Sequence, residues 1–208
     1  MLMTNDKPGT DQLVELAALG NDSAAQSLLG RCRPRLCRMV AVHLDSRLSA
    51  RVDASDVVQE ALAEAYQKLP TYLQTRPVSF YPWIRQIAWQ RLLKVHRMHM
   101  TADRRSVRYE APEELSLADE SVVQLAERFI AADTEPPQRV IRSELRQRIS
   151  LALEGLDASD RELLVMRYLE HMPLKEVAES LSITLEAAKK RHARALEQLQ
   201  LDLDQSPP

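Results

Sequence analysis

The chain has 208 residues and a 45% hydrophobic composition, enough for one large or two small domains, each with a modest core. Four glycines, a 4% aromatic content and abundant Leu, Ala, Glu, Arg and Gln weigh against sheets and predict an all-α protein, because straight-chain residues lose little rotamer freedom in a helix. The formal net charge of −2 excludes a uniformly basic surface, yet charge is segregated: residues 1–100 carry 13 Lys/Arg against 9 Asp/Glu, 101–148 carry 8 against 10, and 149–208 carry 7 against 11.

The N-terminal MLMTNDKPGTD lacks a basic segment followed by an apolar one, and no stretch approaches the ~18 apolar residues of a membrane span. A cytoplasmic protein is expected. Helical periodicity begins near Asp11, where Leu13, Leu16 and Ala17, then Ala24, Leu28 and Leu29, recur at three- and four-residue steps, and it continues from Arg31 to Leu44 after Pro34. Cys32 and Cys37 stand alone, with no second Cys/His pair at zinc-ligand spacing. They are expected to be buried or idle thiols, with no metal and no cofactor assigned.

A second helix start is written in "DASD" (53–56), where Asp53 can cap and Asp56 favours the dipole of the first turn. This helix is expected to run through VVQEALAEAYQKL to Pro70. "TYLQTRPVS" (71–79) reads as a loop, and a further helix is expected from about Tyr81 to Met100, with Pro82 tolerated in its first turn. No Asp or Glu occurs from Ala65 to Ala102, while Lys68, Arg76, Arg85, Arg91, Lys94 and Arg97 all do. Such a run is either a solvated face or a phosphate-facing surface. Six of the nine aromatics, Tyr66, Tyr72, Phe80, Tyr81, Trp83 and Trp89, fall inside it. Their faces can stack on unpaired bases at roughly 1–3 kcal/mol each, or Tyr66, Phe80 and Trp83 can simply fill a helical core.

Composition then changes. Residues 102–139 are acidic and proline-containing, with one amphipathic helix expected at 121–132 and a break at "DTEPPQ" (133–138), and they read as a linker between units at 8–101 and 140–203. Patterning resumes with Val140, Ile141, Leu145, Ile149, Leu153 and Leu156. "DASD" recurs at 157–160, where Ser159 with Glu162 fits a capping box. A short helix is expected from Pro173 through Leu181, then the tight connection "SI", then a long helix from about Thr184 to Leu199. On the last helix Leu185, Ala188, His192, Ala195, Leu196 and Leu199 share an apolar face, Glu186, Lys190 and Arg194 point away from it, and Lys189 and Arg191 flank it. Two helices joined by a short turn, the second cationic and exposed, describe a helix-turn-helix whose second helix enters the DNA major groove. An amphipathic surface helix with a basic outer face has the same pattern.

The order of "DASDVVQEALAEAYQKL", "FYPWIRQIAWQRLLKVHRMH" and "LEGLDASDRELLVMRYLEHMPLKEVAESLSITLEAAKKRHARALEQL" resembles regions 2 and 4 of bacterial RNA polymerase sigma factors of the sigma-70 family. The layout, with no middle domain, is similar to the extracytoplasmic-function (ECF) type. The resemblance implies two helical domains, region 2 at 8–101 and a region 4 helix-turn-helix at 140–203. It implies that Asp56, Val57, Gln59 and Glu60 dock on the clamp helices of the largest subunit of core RNA polymerase, and that region 4 meets the flap of the second-largest. Arg85, Trp89, Arg91, Lys94 and Arg97 would face the −10 promoter element, with the 70–79 loop adding a pocket for one flipped base. Glu186, Lys189, Lys190, Arg191 and Arg194 would contact the −35 element, and the acidic linker would thread toward the RNA path. An anti-sigma factor is a further partner that the resemblance allows.

Against this family Ser182 stands where the turn often carries Gly, so a left-handed turn must be made by a residue with a Cβ. Ala188, His192 and Gln90 also depart from the usual Val, Leu and Asn. A helix-turn-helix regulator that is not a polymerase subunit would account for 157–199 but leaves "DVVQE" and the acid-free aromatic run unexplained. An enzyme is disfavoured, since no Gly-rich phosphate loop, ligand set or nucleophile constellation is present.

Overall fold

A computed structural model describes residues 8–44, 51–103, 119–132 and 139–205, and the fold among them is all-α. The helices are α1 (Thr10–Ala18), α2 (Asp22–His43), α3 (Ala54–Thr75), α4 (Phe80–Asp103), α5 (Asp119–Ala132), α6 (Arg139–Gly155), α7 (Ala158–Tyr168), α8 (Leu174–Ser180) and α9 (Leu185–Gln205). The first four form one bundle, in which α2 packs on α1, α3 and α4. The last five form a second, in which α9 lies across α6, α7 and α8. The bundles meet where α8 packs on α4 and α5 packs on α2.

Most of the apolar residues that set the helical periodicity are buried, Leu16 being an exception that faces solvent on α1. Leu13, Ala17, Ala24, Leu28 and Leu29 sit in the core with Val58, Ala61, Ile84, Ala88 and Leu92. In the second bundle Ile149, Leu153, Leu156, Leu163, Leu164 and Val177 do the same, while the side chains of 140, 141 and 145 lie outside the described residues. The two groups join in one connected apolar cluster, so the bundles share a buried seam.

Local signals behave unevenly. Asn21 and Asp53 cap α2 and α3 through their side chains, as a helix N-terminus with orphan N–H groups requires. The expected end at Pro70 is overturned: α3 runs through it to Thr75, and only 76–79 remain as the connection. Pro70 is exposed, whereas Leu69 and Tyr72 on either side of it are buried, and the Tyr72 hydroxyl donates to the Val78 carbonyl at 3.0 Å. Packing of that last turn outweighs the lost hydrogen bond. Pro34 is likewise carried inside α2.

The capping box expected of Ser159 and Glu162 is also corrected. Asp157 caps α7, accepting from the Ser159 backbone N–H at 2.9 Å, and Glu162 turns away from the cap toward the first bundle. The helix-turn-helix turn forms with Ser182 at φ 54, the left-handed conformation expected of a glycine. The expected helix at 121–132 is present as α5, with Val122, Leu125 and Ala126 buried, so the stretch expected as a linker contributes a packed helix to the second bundle. Residues 104–118 and 133–138 of the expected linker lie outside the described residues.

Candidate nucleic-acid interface

The cations of α4 separate onto different faces. At about 100° per residue, Arg85 and Trp89 lie close together, while Arg91 and Lys94 fall on the opposite half of the helix. Arg91 turns to α3, with Nε donating to Glu64 at 2.6 Å and Nη1 to Glu60 at 3.3 Å. Lys94 and Arg97 are exposed. Arg85 is buried, and its guanidinium donates to both carboxylate oxygens of Glu170, at 2.8 and 2.6 Å, and to Glu162 at 2.7 Å. Burial opposes its charge, but Glu170 and Glu162 outweigh that and keep it firmly cationic.

Most of the aromatics in the acid-free run are core residues. Tyr72 stacks on Trp83 with centroids 4.4 Å apart, and Phe80 meets both edge-on or tilted. Tyr72, Phe80 and Tyr81 are buried, and of the six only Tyr66 is exposed. The base-stacking alternative is therefore restricted to the partly buried Trp83 and Trp89 and to Tyr66.

On α9, Ala188, Ala195 and Leu199 are buried as the wheel requires, and His192 is half-buried with Nε2 3.1 Å from the Tyr168 hydroxyl. Burial, then Arg167, holds its imidazole below the usual range. Leu185 is exposed. Glu186, Lys189, Lys190 and Arg194 face solvent, with Lys189 donating to Glu186 at 2.8 Å. Arg191 and Arg194 both donate to the buried carboxylate of Asp160, at 2.7 and 2.8 Å, which anchors α9 to α7. Arg194 keeps 68% of its side chain exposed, so its anchor does not hide it.

On α3, Asp56, Gln59 and Glu60 are exposed side by side, whereas Val57 is buried in the core and offers no side chain to a partner.

The structure also assembles a constellation that no single motif announces. Carboxylates of the second bundle reach four places on the first. Glu162 and Glu170 hold Arg85. Glu162 also lies 2.8 Å from His43 Nε2. Glu176 receives Arg35 at 2.6 Å, and that guanidinium lies over the Tyr81 ring, 3.4 Å from its centroid. Glu179 accepts from the backbone N–H and the hydroxyl of Ser79, at 2.8 and 3.0 Å, at the N-terminus of α4. The sequence signal for this was the charge segregation itself: a first hundred residues with excess Lys and Arg and an acidic final third are complementary.

His43, Glu162 and Glu170 place ligand atoms within 4.8 Å of one another. The Arg85 guanidinium already binds both carboxylates and would repel a divalent cation, so the set is an ion-pair network and no metal centre is assigned. Cys32 is buried, and burial pushes its thiol up to about 12, against a smaller pull from Arg35.

Residues 28–101 match the family model for sigma-70 region 2, and residues 152–201 match that for sigma-70 region 4. The ECF RNA polymerase sigma factor SigD of Mycobacterium tuberculosis is 27% identical over 197 residues, covering 95% of this chain and 85% of the relative. The ECF RNA polymerase sigma-E factor of Haemophilus influenzae is 24% identical over 192 residues, covering 92% and 94%. A solved structure of CnrH in complex with the cytosolic domain of CnrY is similar in fold, with a TM-score of 0.53 and 22% identity over 94% of this chain and 97% of that one.

Proposed function

The chain belongs to the sigma-70 family, as a sigma factor of the ECF type, and from that premise we propose that it binds core RNA polymerase, reads the −10 and −35 promoter elements and promotes DNA opening. The observation that carries this is the pairing, on one chain, of a region 2 bundle with an exposed Asp56, Gln59 and Glu60 surface and a region 4 whose last helix presents Lys190 and Arg194 to solvent.

In this reading Asp56, Gln59 and Glu60 meet the clamp helices of the largest subunit, with Val57 supporting them from the core, and region 4 meets the flap of the second-largest. Glu186, Lys189, Lys190, Arg191 and Arg194 enter the major groove of the −35 element, where cations neutralise phosphates and release counterions. Arg85, Trp89, Lys94 and Arg97 serve the −10 element, with Arg91 bracing α4 on α3. Arg85 reaches DNA only after Glu162 and Glu170 let go, so engagement of −10 DNA requires the bundles to part. The protein acts as an initiation subunit in the cytoplasm, with no reaction of its own. Among the described residues no helix is long and apolar enough to cross a membrane. The CnrH complex supports an anti-sigma factor as a further partner.

The experiment is binding to purified bacterial core RNA polymerase, followed by fluorescence anisotropy across a salt series. Saturable binding at nanomolar concentration is expected, and Gln59→Ala with Glu60→Ala should weaken it while leaving the fold intact. No binding by folded protein would leave a stand-alone helix-turn-helix regulator as the reading. Unchanged affinity in the double variant would remove these residues from the docking surface.

A further inference from the structure

The seam between the bundles contains a histidine whose protonation the geometry dictates. His43, at the end of α2, is fully buried. Its Nδ1 lies 2.9 Å from the Met39 carbonyl and its Nε2 lies 2.8 Å from Glu162 Oε2. The Met39 carbonyl has no proton, so Nδ1 donates to it, and one proton lies between Nε2 and Glu162 Oε2. Arg85 donates to the other oxygen of Glu162 and favours its carboxylate form, which places that proton on the ring and makes it an imidazolium with both N–H groups donating.

Charge balance leads to the same form. Among the described residues the charged and titratable groups facing His43 are Arg85 from α4, Glu162 from α7 and Glu170 just after α7. From α5, among the residues whose side chains are described, the Ser121 hydroxyl donates to the Val42 carbonyl at 2.7 Å. Two carboxylates against one guanidinium leave a net negative charge inside the seam, and a protonated His43 cancels it. The ring also stands perpendicular to that of Trp89, with centroids 4.8 Å apart, so it is fixed on a third side.

We propose that His43, Glu162, Arg85 and Glu170 form a proton-dependent latch: protonated His43 holds region 4 closed over region 2, and loss of that proton releases Arg85. The latch itself is independent of the sigma reading, whereas its consequence for −10 DNA rests on it. Closing takes up a proton and opening gives one back to solvent.

The sign follows. Burial disfavours the charged ring, but Glu162, by charge and hydrogen bond, and Glu170 outweigh burial and the repulsion of Arg85, holding the imidazole above its ordinary range. Closure is thus fully supported below the open-state value of about 6.5 and is lost as pH rises through the raised value. In that window the closed-to-open ratio falls by up to tenfold per pH unit for one proton. At the acid end Glu162, held low by His43 and Arg85 against its burial, sets a second limit, since closure fails again once it is protonated.

Small-angle X-ray scattering of the full chain from pH 5.5 to 8.5, at fixed ionic strength and without polymerase or DNA, tests this. The wild type should be compact at the acid end and expand as pH rises. His43→Gln should be more expanded at pH 5.5 and lose the pH dependence, the other histidines being retained. If that variant does not fold, Glu170→Gln decides: it removes the charge that the proton balances and should flatten the profile with His43 in place. Dimensions of the wild type that do not change with pH, a His43→Gln profile that follows the wild type, or a Glu170→Gln profile with full wild-type dependence would each overturn the latch. None of these results bears on core-polymerase binding, which fails or succeeds in its own assay.

Discussion

Two helices, α4 and α9, carry the cations proposed to read DNA, and they treat them in opposite ways. On α9 the counter-charges are local: Glu186 lies one turn from Lys189, and Asp160 of the neighbouring α7 holds Arg191 and Arg194 while leaving most of Arg194 in solvent. On α4 the counter-charges of Arg85 come from the other bundle, and Arg85 is buried with them. A surface ion pair is worth little and is readily exchanged for phosphate. A buried one must be exposed as a unit, because each charge left behind without its partner costs several kcal/mol. The closed protein therefore keeps the cations of the proposed −35 helix in solvent and buries Arg85 of the proposed −10 set, while Lys94 and Arg97 stay exposed.

The largest expected effect breaks the α4 side of this contrast. Arg85→Met leaves Glu170 buried with no guanidinium, and should destabilise the paired bundles by about 3–5 kcal/mol, read by denaturant unfolding and by faster proteolysis at the seam. Unchanged stability would mean that apolar packing of α8 on α4 holds the bundles alone.

Asp160→Asn sharpens the α9 side. Losing the carboxylate that receives both arginines should lower the stability of the second bundle by about 1.5–3 kcal/mol in thermal or chemical unfolding, with no change in the packing of α4. If instead the bundles separate, the anchor of α9 and the seam are not independent.

Reversing Lys190 and Arg194 to Glu should abolish −35-dependent transcription at a cost of at least ~1 kcal/mol per contact, more at low salt, without loss of core binding. Transcription that persists from a −35 promoter would take this helix out of the reader role. The smallest effect concerns the turn that sets the angle of α9. Ser182→Gly removes the left-handed strain at φ 54 and should raise stability by about 0.5–1 kcal/mol, seen as a higher Tm with unchanged DNA binding.

Much of this fold is legible in the chain itself. The three- and four-residue spacing of Leu13, Ala17, Ala24 and Leu28, and of Ala188, Ala195 and Leu199, identifies the faces that are buried. Asp53 announces its helix because its side chain satisfies a donor two residues away. Where the reading fails, a distant partner has outvoted a local rule. Pro70 does not end α3, since Tyr72 and Leu69 gain more from the core than the proline costs. Glu162 leaves the cap that its spacing allows because His43 and Arg85 offer it two charged partners.

The site was legible in the same measure. Lys190 and Arg194 are exposed where the wheel puts them, because a helix bound to its core along one stripe has a predetermined outside. Arg85, Arg91 and Lys94 look alike in sequence, as cations in an acid-free run, and only the tertiary structure separates them. Helical periodicity and capping are short-range and so are written in neighbouring residues. The environment of Arg85 is set by carboxylates 77 and 85 positions away, and no local pattern encodes which bundle will close over which face. The chain by itself determined its helices, its two units and their opposite charge. The docking of those units decided which arginine faces solvent and which lies buried between carboxylates beside His43, because burial and charge pairing belong to the assembled fold.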